Sequence, residues 1–148
     1  MERQPPSQST LDSLVISEHN ECLMCGPANS SGFRLRFRVI SDGSVIAMFP
    51  CGDALRSYPE TLHGGVISSL LDAAMTNALF AIGVTAVTAE LTVRFIAPVR
   101  LNRGAVISAR IEKDADPLFY MQAAIEQDGK VLVRGTAKFL SKDWATGT

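Results

Sequence analysis

The sequence predicts an α+β domain in which an antiparallel sheet of five to six strands curls around one long helix. A single long apolar segment, about residues 63–82, has helical length and ends at Gly83. Most other apolar residues alternate with polar ones in short runs, as they do in strands with one buried face. Because no second segment could cover so apolar a helix, the sheet must wrap around it.

The composition is that of one globular domain without a bias toward nucleic acid or lipid. The 148 residues are 47% hydrophobic with a formal net charge of -1, whereas nucleic-acid-binding proteins usually have a basic excess. The N-terminus lacks the apolar core of a signal peptide, and polar residues interrupt the longest apolar stretch. Three cysteines fit a reducing compartment. We therefore expect a cytoplasmic protein that binds neither nucleic acid nor membrane.

We expect three segments along the chain. Residues 1–20 form a flexible arm with room for a short helix, residues 21–141 form a single domain, and residues 142–148 form a tail. Within the domain, a stretch with one proline and two glycines over residues 22–32 predicts a loop ahead of the first strand.

Alternation predicts the strands in order. The first covers residues 33–40, where arginines alternate with apolar residues and are expected to line a solvated face. A Ser-Asp-Gly turn separates it from a second strand over residues 45–49, and an irregular segment then leads to the helix. Asp128 and Gly129 predict a tight turn between the last two strands. The strands after the helix are predicted at residues 85–99, 104–113, 118–127 and 131–140.

Asp72 is an anomaly because it is a carboxylate in the middle of the most apolar segment. Burying an unpaired carboxylate is costly, so such a residue is usually paired or functional. Four small or polar positions lie within about 60° of it on the helix: Gly65, Ser68, Ser69 and Thr76. This stripe would let a substrate approach the carboxylate and makes the three hydroxyl residues substrate-binding candidates. Alternatively, neighbouring hydroxyls hold the carboxylate, or it faces solvent through a gap in the sheet.

His63, Gly64 and Gly65 stand where the helix begins. Two glycines at a helix N-terminus expose backbone N–H groups, which favour an oxyanion or a polarised carbonyl. Alternatively, the glycines allow a turn to pack closely, and His63 holds the loop by a hydrogen bond. Gly64 and Asp72 are about 12 Å apart along the helix, so one helix can barely serve one site with both groups. Two antiparallel copies can, which predicts a two-fold dimer with composite sites if both groups are catalytic.

Three motifs resemble those of one family. They are His63-Gly64-Gly65 followed by Asp72 and Ala74, Cys22-Leu23-Met24-Cys25-Gly26 followed by Asn29 and Gly32, and Phe95-Ile96-Ala97-Pro98. Over about residues 20–141 the chain resembles the hotdog-fold thioesterases, and among them the PaaI-like acyl-CoA thioesterases. The resemblance implies a homodimer or a dimer of dimers that hydrolyses an acyl-CoA thioester at the subunit interface. We expect no cofactor, since coenzyme A is part of the substrate.

The resemblance also implies roles for individual residues. The N–H of Gly64 would polarise the thioester carbonyl, and Asp72 of the partner subunit would act as a general base on water or as a nucleophile. Thr88, on the following strand, would position the water or the carboxylate. Related sequences often have Asn or Gln six residues before the histidine, where this chain has the shorter Ser57. Ser57 is therefore a catalytic candidate that either assists through a water molecule or leaves this assistance missing.

Other residues leave alternatives open. Arg100 and Arg103 are candidates for binding the phosphates of coenzyme A, because guanidinium groups bind phosphate bidentately. Cys22 and Cys25 have the spacing of half a zinc site, with His19 or Cys51 as further candidate ligands. Since a structural zinc needs four ligands and a second cysteine pair is lacking, we expect these cysteines to pack a loop without metal.

Two other functions compete with thioester hydrolysis. A hydratase or dehydratase on the same fold usually needs a histidine beside a carboxylate, and this chain has only two histidines. A non-catalytic acyl-CoA-binding or sensing module would bind acyl-CoA without releasing free CoA.

Overall fold

The computed structural model describes residues 2–146, which form one six-stranded antiparallel sheet and three α-helices. The helices are α1 (Gln8–His19), α2 (Gly64–Phe80) and α3 (Lys142–Thr146). The strands are β1 (Arg38–Val39), β2 (Val45–Phe49), β3 (Ala86–Phe95), β4 (Ala105–Ala115), β5 (Leu118–Gln127) and β6 (Lys130–Ser141). Their order across the sheet is β1-β2-β4-β5-β6-β3, so β1 and β3 are its edge strands.

α2 is the central helix that the sequence predicts. It packs against β2, β3, β4 and β5, and 11 of its residues are buried. The sheet curls around it, which confirms the predicted α+β architecture. Fully enclosed side chains such as Leu70, Leu71 and Met75 each stabilise this packing by about 2 kcal/mol. Within residues 2–146, no helix has the length and apolarity needed to cross a bilayer.

The first strand is shorter than predicted. The sequence pattern placed it over residues 33–40, but only Arg38 and Val39 pair with β2. The backbone of Arg34 has a φ of 51°, which interrupts an extended strand. The preceding loop takes up the hydrogen bonds instead: the N–H of Phe33 donates to the carbonyl of Leu23 at 2.8 Å. The predicted alternation still holds, because the arginines of this segment are exposed.

The N-terminal segment is helical and packed rather than a free arm over most of its described length. Ser7 caps α1, and Leu11 is 2% exposed against the domain core. Arg3 pairs with Asp114 at 2.8 Å and with Asp116, which joins the start of the chain to β4 and the turn after it. At the other end, the predicted tail holds α3. Met1, Gly147 and Thr148 lie outside the described residues.

Gln127 is a buried polar residue that fastens the loop between β3 and β4. It is 5% exposed, and its Oε1 accepts a hydrogen bond from the N–H of Arg100 at 2.8 Å. Its Nε2 donates to the carbonyls of Arg100 at 2.9 Å and of Arg103 at 3.2 Å. One side chain therefore fixes the loop that carries both candidate phosphate-binding arginines.

Replacing Gln127 with alanine is expected to lower the free energy of unfolding by about 2–3 kcal/mol, because three part-buried backbone groups lose their partner. Urea denaturation followed by circular dichroism measures the change. The matched control is Gln122→Ala on the same strand, whose Oε1 accepts from the exposed Arg110. We expect the control to lose less than about 1 kcal/mol. Equal losses in the two variants would contradict the fastening role of Gln127.

Candidate active site

Asp72 is aligned by a hydroxyl from the neighbouring strand. The carboxylate is half-buried on α2, and its Oδ1 accepts a hydrogen bond from Thr88 Oγ1 at 2.5 Å. Among the described residues, none donates to Oδ2, which leaves that oxygen accessible to water or substrate. A carboxylate held at one oxygen and open at the other is suited to general-base or nucleophilic work.

A bulge in β3 is what turns Thr88 toward the helix. The pairing of β3 with β6 shifts register between Thr88 and Glu90, so Ala89 is an extra residue. In a regular strand, Thr88 and Leu91 would lie on opposite faces. With the extra residue, both face inward, because Leu91 packs against the core while Thr88 reaches Asp72.

The hydroxyl stripe on α2 does not hold the carboxylate. Ser68 donates to the carbonyl of Gly64 at 3.0 Å, Ser69 to that of Gly65 at 2.9 Å, and Thr76 to that of Asp72 at 3.1 Å. Each hydroxyl thus bonds the backbone of its own helix, one turn earlier. The sequence left open whether hydroxyls of the same helix hold the carboxylate. In the structure, the hydroxyl that bonds Asp72 belongs to β3 and not to α2.

The N-terminus of α2 separates the roles of its two glycines. His63 caps the helix, because its Nδ1 accepts a hydrogen bond from the N–H of Gly65 at 2.9 Å. The N–H of His63 donates to the carbonyl of Leu55 at 2.8 Å, which ties the cap to the preceding turn. Gly64 is different, since its N–H has no acceptor within the described part of the chain. The N–H of Gly64 is therefore available to a ligand at this end of the helix, unlike that of Gly65.

Asp72 and Gly64 do not meet within one chain. They lie on one continuous helix, about 12 Å apart along its axis. β3 runs past both groups: Thr88 reaches Asp72, and the ring of Phe95 lies 3.6 Å from the position that a Cβ on Gly64 would take. Sequence reasoning missed Phe95 as a neighbour of this donor, although it falls on the alternating inward positions of the strand.

The remaining candidates lie in surface loops. Ser57 is exposed, and its hydroxyl bonds that of Thr61 at 3.1 Å. Thr61 also forms a β-bridge with Arg100, so the arginine loop is joined to the segment that enters α2. Arg103 pairs with Asp128 at 3.3 Å, and both arginines line an open depression of about 640 Å³. No described hydrogen bond joins Ser57 or either arginine to Asp72.

The cysteine loop packs beside α2 at the C-terminal end of α1. Cys25 Sγ lies 3.7 Å from His19 Nδ1, and the Cys22 sulfur accepts a hydrogen bond from the N–H of Met24 at 3.4 Å. Burial raises the pKa of the Cys25 thiol to about 12, which makes it a poor nucleophile at neutral pH. Burial also lowers the pKa of His19, with the nearby charges of Glu18 and Asp72 acting in the opposite direction.

An antiparallel sheet that curls around one long central helix is the architecture of the hotdog-fold proteins. The sequence profile of the thioesterase superfamily matches residues 60–134, just over half of the chain. The chain therefore belongs to the thioesterase superfamily. No curated protein matches it significantly.

Solved structures confirm the fold at low sequence identity. A thioesterase superfamily protein shares 24% identity with a TM-score of 0.77, and the match covers 82% of this chain and 61% of that one. This chain thus spans less than two thirds of that neighbour. The PaaI protein of the phenylacetic acid degradation operon of E. coli shares 15% identity with a TM-score of 0.73, covering 90% of this chain and 91% of that one.

A hypothetical thioesterase from Streptococcus pneumoniae has been solved with coenzyme A. It shares 16% identity with a TM-score of 0.68, and the match covers 73% of this chain and 88% of that one. Two further structures of that protein each replace one residue with alanine, an aspartate in one and a threonine 16 positions later in the other. Asp72 and Thr88 are separated by the same 16 positions.

Proposed function

We propose that this protein hydrolyses an acyl-CoA thioester to a free acid and CoA. The observation that carries the proposal is the half-buried carboxylate of Asp72, held at Oδ1 by Thr88 with Oδ2 open. Membership of the thioesterase superfamily and the neighbour solved with coenzyme A support a thioester substrate. The matching aspartate–threonine separation in that neighbour supports Asp72 as the reacting group and Thr88 as the residue that orients it.

Each group has one task in the proposed reaction. The N–H of Gly64 donates to the thioester carbonyl oxygen, which draws electron density from the carbonyl carbon. Asp72 Oδ2 removes a proton from water as the water oxygen attacks that carbon. The tetrahedral intermediate collapses with breakage of the C–S bond, and the protonated Asp72 returns its proton to the departing CoA thiolate. Thr88 keeps the carboxylate oriented throughout.

A second copy of the chain completes the site in this proposal. β3 pairs only with β6 among the described strands, so its outer edge is open, and Phe95 and Ile96 are more than half exposed there. An open, apolar edge of this length favours pairing with another strand. Antiparallel pairing about a two-fold axis near Leu91 would set Thr88 of one copy opposite the partner's Phe95. The Asp72 of one copy would then face the Gly64 end of the other.

The pattern of polar groups favours hydrolysis over hydration. A hydratase on this fold usually needs a histidine beside a carboxylate, but no described hydrogen bond joins His19 or His63 to Asp72, and His63 caps the helix instead. Ser68, Ser69 and Thr76 give the substrate a narrow polar path along α2, and Arg100 and Arg103 are placed to meet the CoA phosphates from their loop. The cytoplasmic location stays a prediction.

The first test is the release of free CoA from short-, medium-, long-chain and aryl acyl-CoA thioesters. We expect catalytic release with at least one acyl class, measured by trapping the free thiol with a chromogenic disulfide. Enoyl-CoA substrates, with hydration followed by absorbance, serve as the control for the competing chemistry. Tight acyl-CoA binding without release of CoA would replace the proposal with a binding module. Hydration of enoyl-CoA without release of CoA would replace it with a hydratase.

A further inference from the structure

His19, Cys22 and Cys25 bring three metal-ligating atoms together outside the candidate active site. Their Nδ1 and Sγ atoms all lie within 4.8 Å of one another. The sequence spacing alone did not establish this, because His19 ends a helix while the cysteines belong to the following loop. Cys51, the other ligand considered from the sequence, is not in the cluster and donates to the carbonyl of Phe49 instead.

The separation of two of these atoms is already that of ligands sharing one zinc ion. Zinc–sulfur bonds of about 2.3 Å and zinc–nitrogen bonds of about 2.0 Å at a tetrahedral angle place sulfur and nitrogen about 3.5 Å apart. The observed distance from Cys25 Sγ to His19 Nδ1 is 3.7 Å. The same bond lengths require the two sulfurs to be about 3.8 Å apart, so at most a small rotation of Cys22 is needed.

The loop backbone holds the cysteines in place. The N–H of Gly26 donates to the carbonyl of Cys22 at 2.9 Å, and the N–H of Cys22 donates to the carbonyl of His19 at 3.0 Å. A Cβ on Gly26 would lie 2.3 Å from the backbone nitrogen of Cys22, so only glycine fits this turn. The N–H of Met24 donates to the Cys22 sulfur at 3.4 Å, which fixes the orientation of that side chain.

His19 is also oriented by its surroundings. Its ring and that of Phe80 form a T-shaped contact with ring centroids 5.0 Å apart. Aromatic pairs prefer this geometry, which limits rotation of the imidazole and keeps Nδ1 toward Cys25. His19 and Cys25 are therefore positioned before any ion arrives, and Cys22 lies within a small rotation of its place, which lowers the entropic cost of binding.

We propose that His19, Cys22 and Cys25 bind one Zn²⁺ ion, which reverses the expectation from the sequence spacing that these cysteines pack a loop without metal. A solvent molecule completes the four ligands that a tetrahedral zinc ion takes. Two thiolates and one imidazole form a soft donor set, which selects zinc over magnesium or calcium. The ion displaces the thiol protons on binding and links the end of α1 to the loop that precedes the sheet. Its role in this proposal is to stabilise that junction, and no step of thioester hydrolysis involves it.

The test uses the full chain, reduced and freed of metal, and titrated with Zn²⁺. We expect one equivalent of zinc to remain after gel filtration. We also expect the melting temperature to rise by at least about 5 °C at a hundredfold excess of zinc over Kd. Co²⁺ in place of zinc is expected to give the thiolate charge-transfer absorption of a tetrahedral sulfur site. The Cys22→Ser/Cys25→Ser variant should lose all three signals, while Cys51→Ser should keep them.

Two outcomes would overturn the proposal. The first is zinc uptake by the double variant equal to that of the unmodified chain, which would place the ion elsewhere. The second is a failure of the reduced, folded protein to take up zinc. Circular dichroism of the double variant, compared with Cys51→Ser, separates loss of binding from loss of folding.

Discussion

Asp72→Asn is expected to lower kcat for acyl-CoA hydrolysis by at least about a hundredfold, because an amide cannot remove a proton from water. The substitution preserves shape, and the Asn carbonyl can still accept the hydrogen bond from Thr88 that Asp72 Oδ1 accepts at 2.5 Å. We therefore expect unchanged folding and a KM within a few-fold of the unmodified value. Steady-state CoA release and thermal melting together measure the two expectations.

Thr88→Val and Thr88→Ser provide the matched pair for this result. Valine removes the hydroxyl with little change of volume, and serine retains it. The valine variant should lose about tenfold in kcat while serine loses less, because the hydroxyl orients the carboxylate and does not react.

A fully active, folded Asp72→Asn protein would contradict the proposed role of Asp72 in the reaction. After a single turnover in ¹⁸O-labelled water, label in Asp72 would identify the carboxylate as a nucleophile, because a general base does not acquire it.

Gly64→Pro is expected to reduce kcat by about a hundredfold to a thousandfold, because proline removes the one N–H proposed to bind the carbonyl oxygen. Position 64 is the first residue of α2, where proline is well tolerated. His63, with φ of -61° and ψ of 132°, already has the extended backbone that precedes proline. Gly64→Ala is the control: it keeps the N–H, and its Cβ would meet the ring of Phe95 at an ordinary 3.6 Å.

Mixing the two inactive variants tests whether two chains share each site. When Asp72→Asn and Gly64→Pro subunits exchange at random, half of the dimers contain one subunit of each kind. Each such heterodimer has one site in which both Asp72 and Gly64 are unmodified. Activity should therefore return to about a quarter of the unmodified level. No recovery, with subunit exchange verified by mass spectrometry, would mean that each site is built within one chain. In that case the open edge of β3 would have no catalytic role.

The architecture could be predicted because hydrophobic periodicity carries it. A helix apolar on nearly all sides requires a sheet around it, and β2 and β5 begin and end at the predicted residues. The first strand could not be placed from its alternation alone. The backbone of residues 33–35 forms hydrogen bonds with the cysteine loop and not with a strand. Because the loop has no alternating pattern of its own, the sequence does not reveal this contact.

The site was predictable only in part. Asp72 stands out because a carboxylate in an apolar helix is costly, but its partner could not be found from the pattern. Alternation places Thr88 with Glu90 and Thr92 on the outer face, whereas the bulge turns it inward. Likewise, Gly64 and Gly65 are equivalent in the sequence, and only the cap by His63 distinguishes the free donor from the engaged one.

The extra residue in β3 acts through its presence in the strand and not through its side chain. Ala89 is exposed and has no polar group, so exchanging it for another small residue changes little chemistry. Its presence nevertheless determines which face of the sheet the preceding residues of the strand point to, including Thr88, whose hydroxyl reaches Asp72. A position of this kind looks neutral when residues are compared letter by letter. Its importance shows when a relative lacks the residue, because deletion of Ala89 would turn the hydroxyl of Thr88 away from Asp72 and toward solvent.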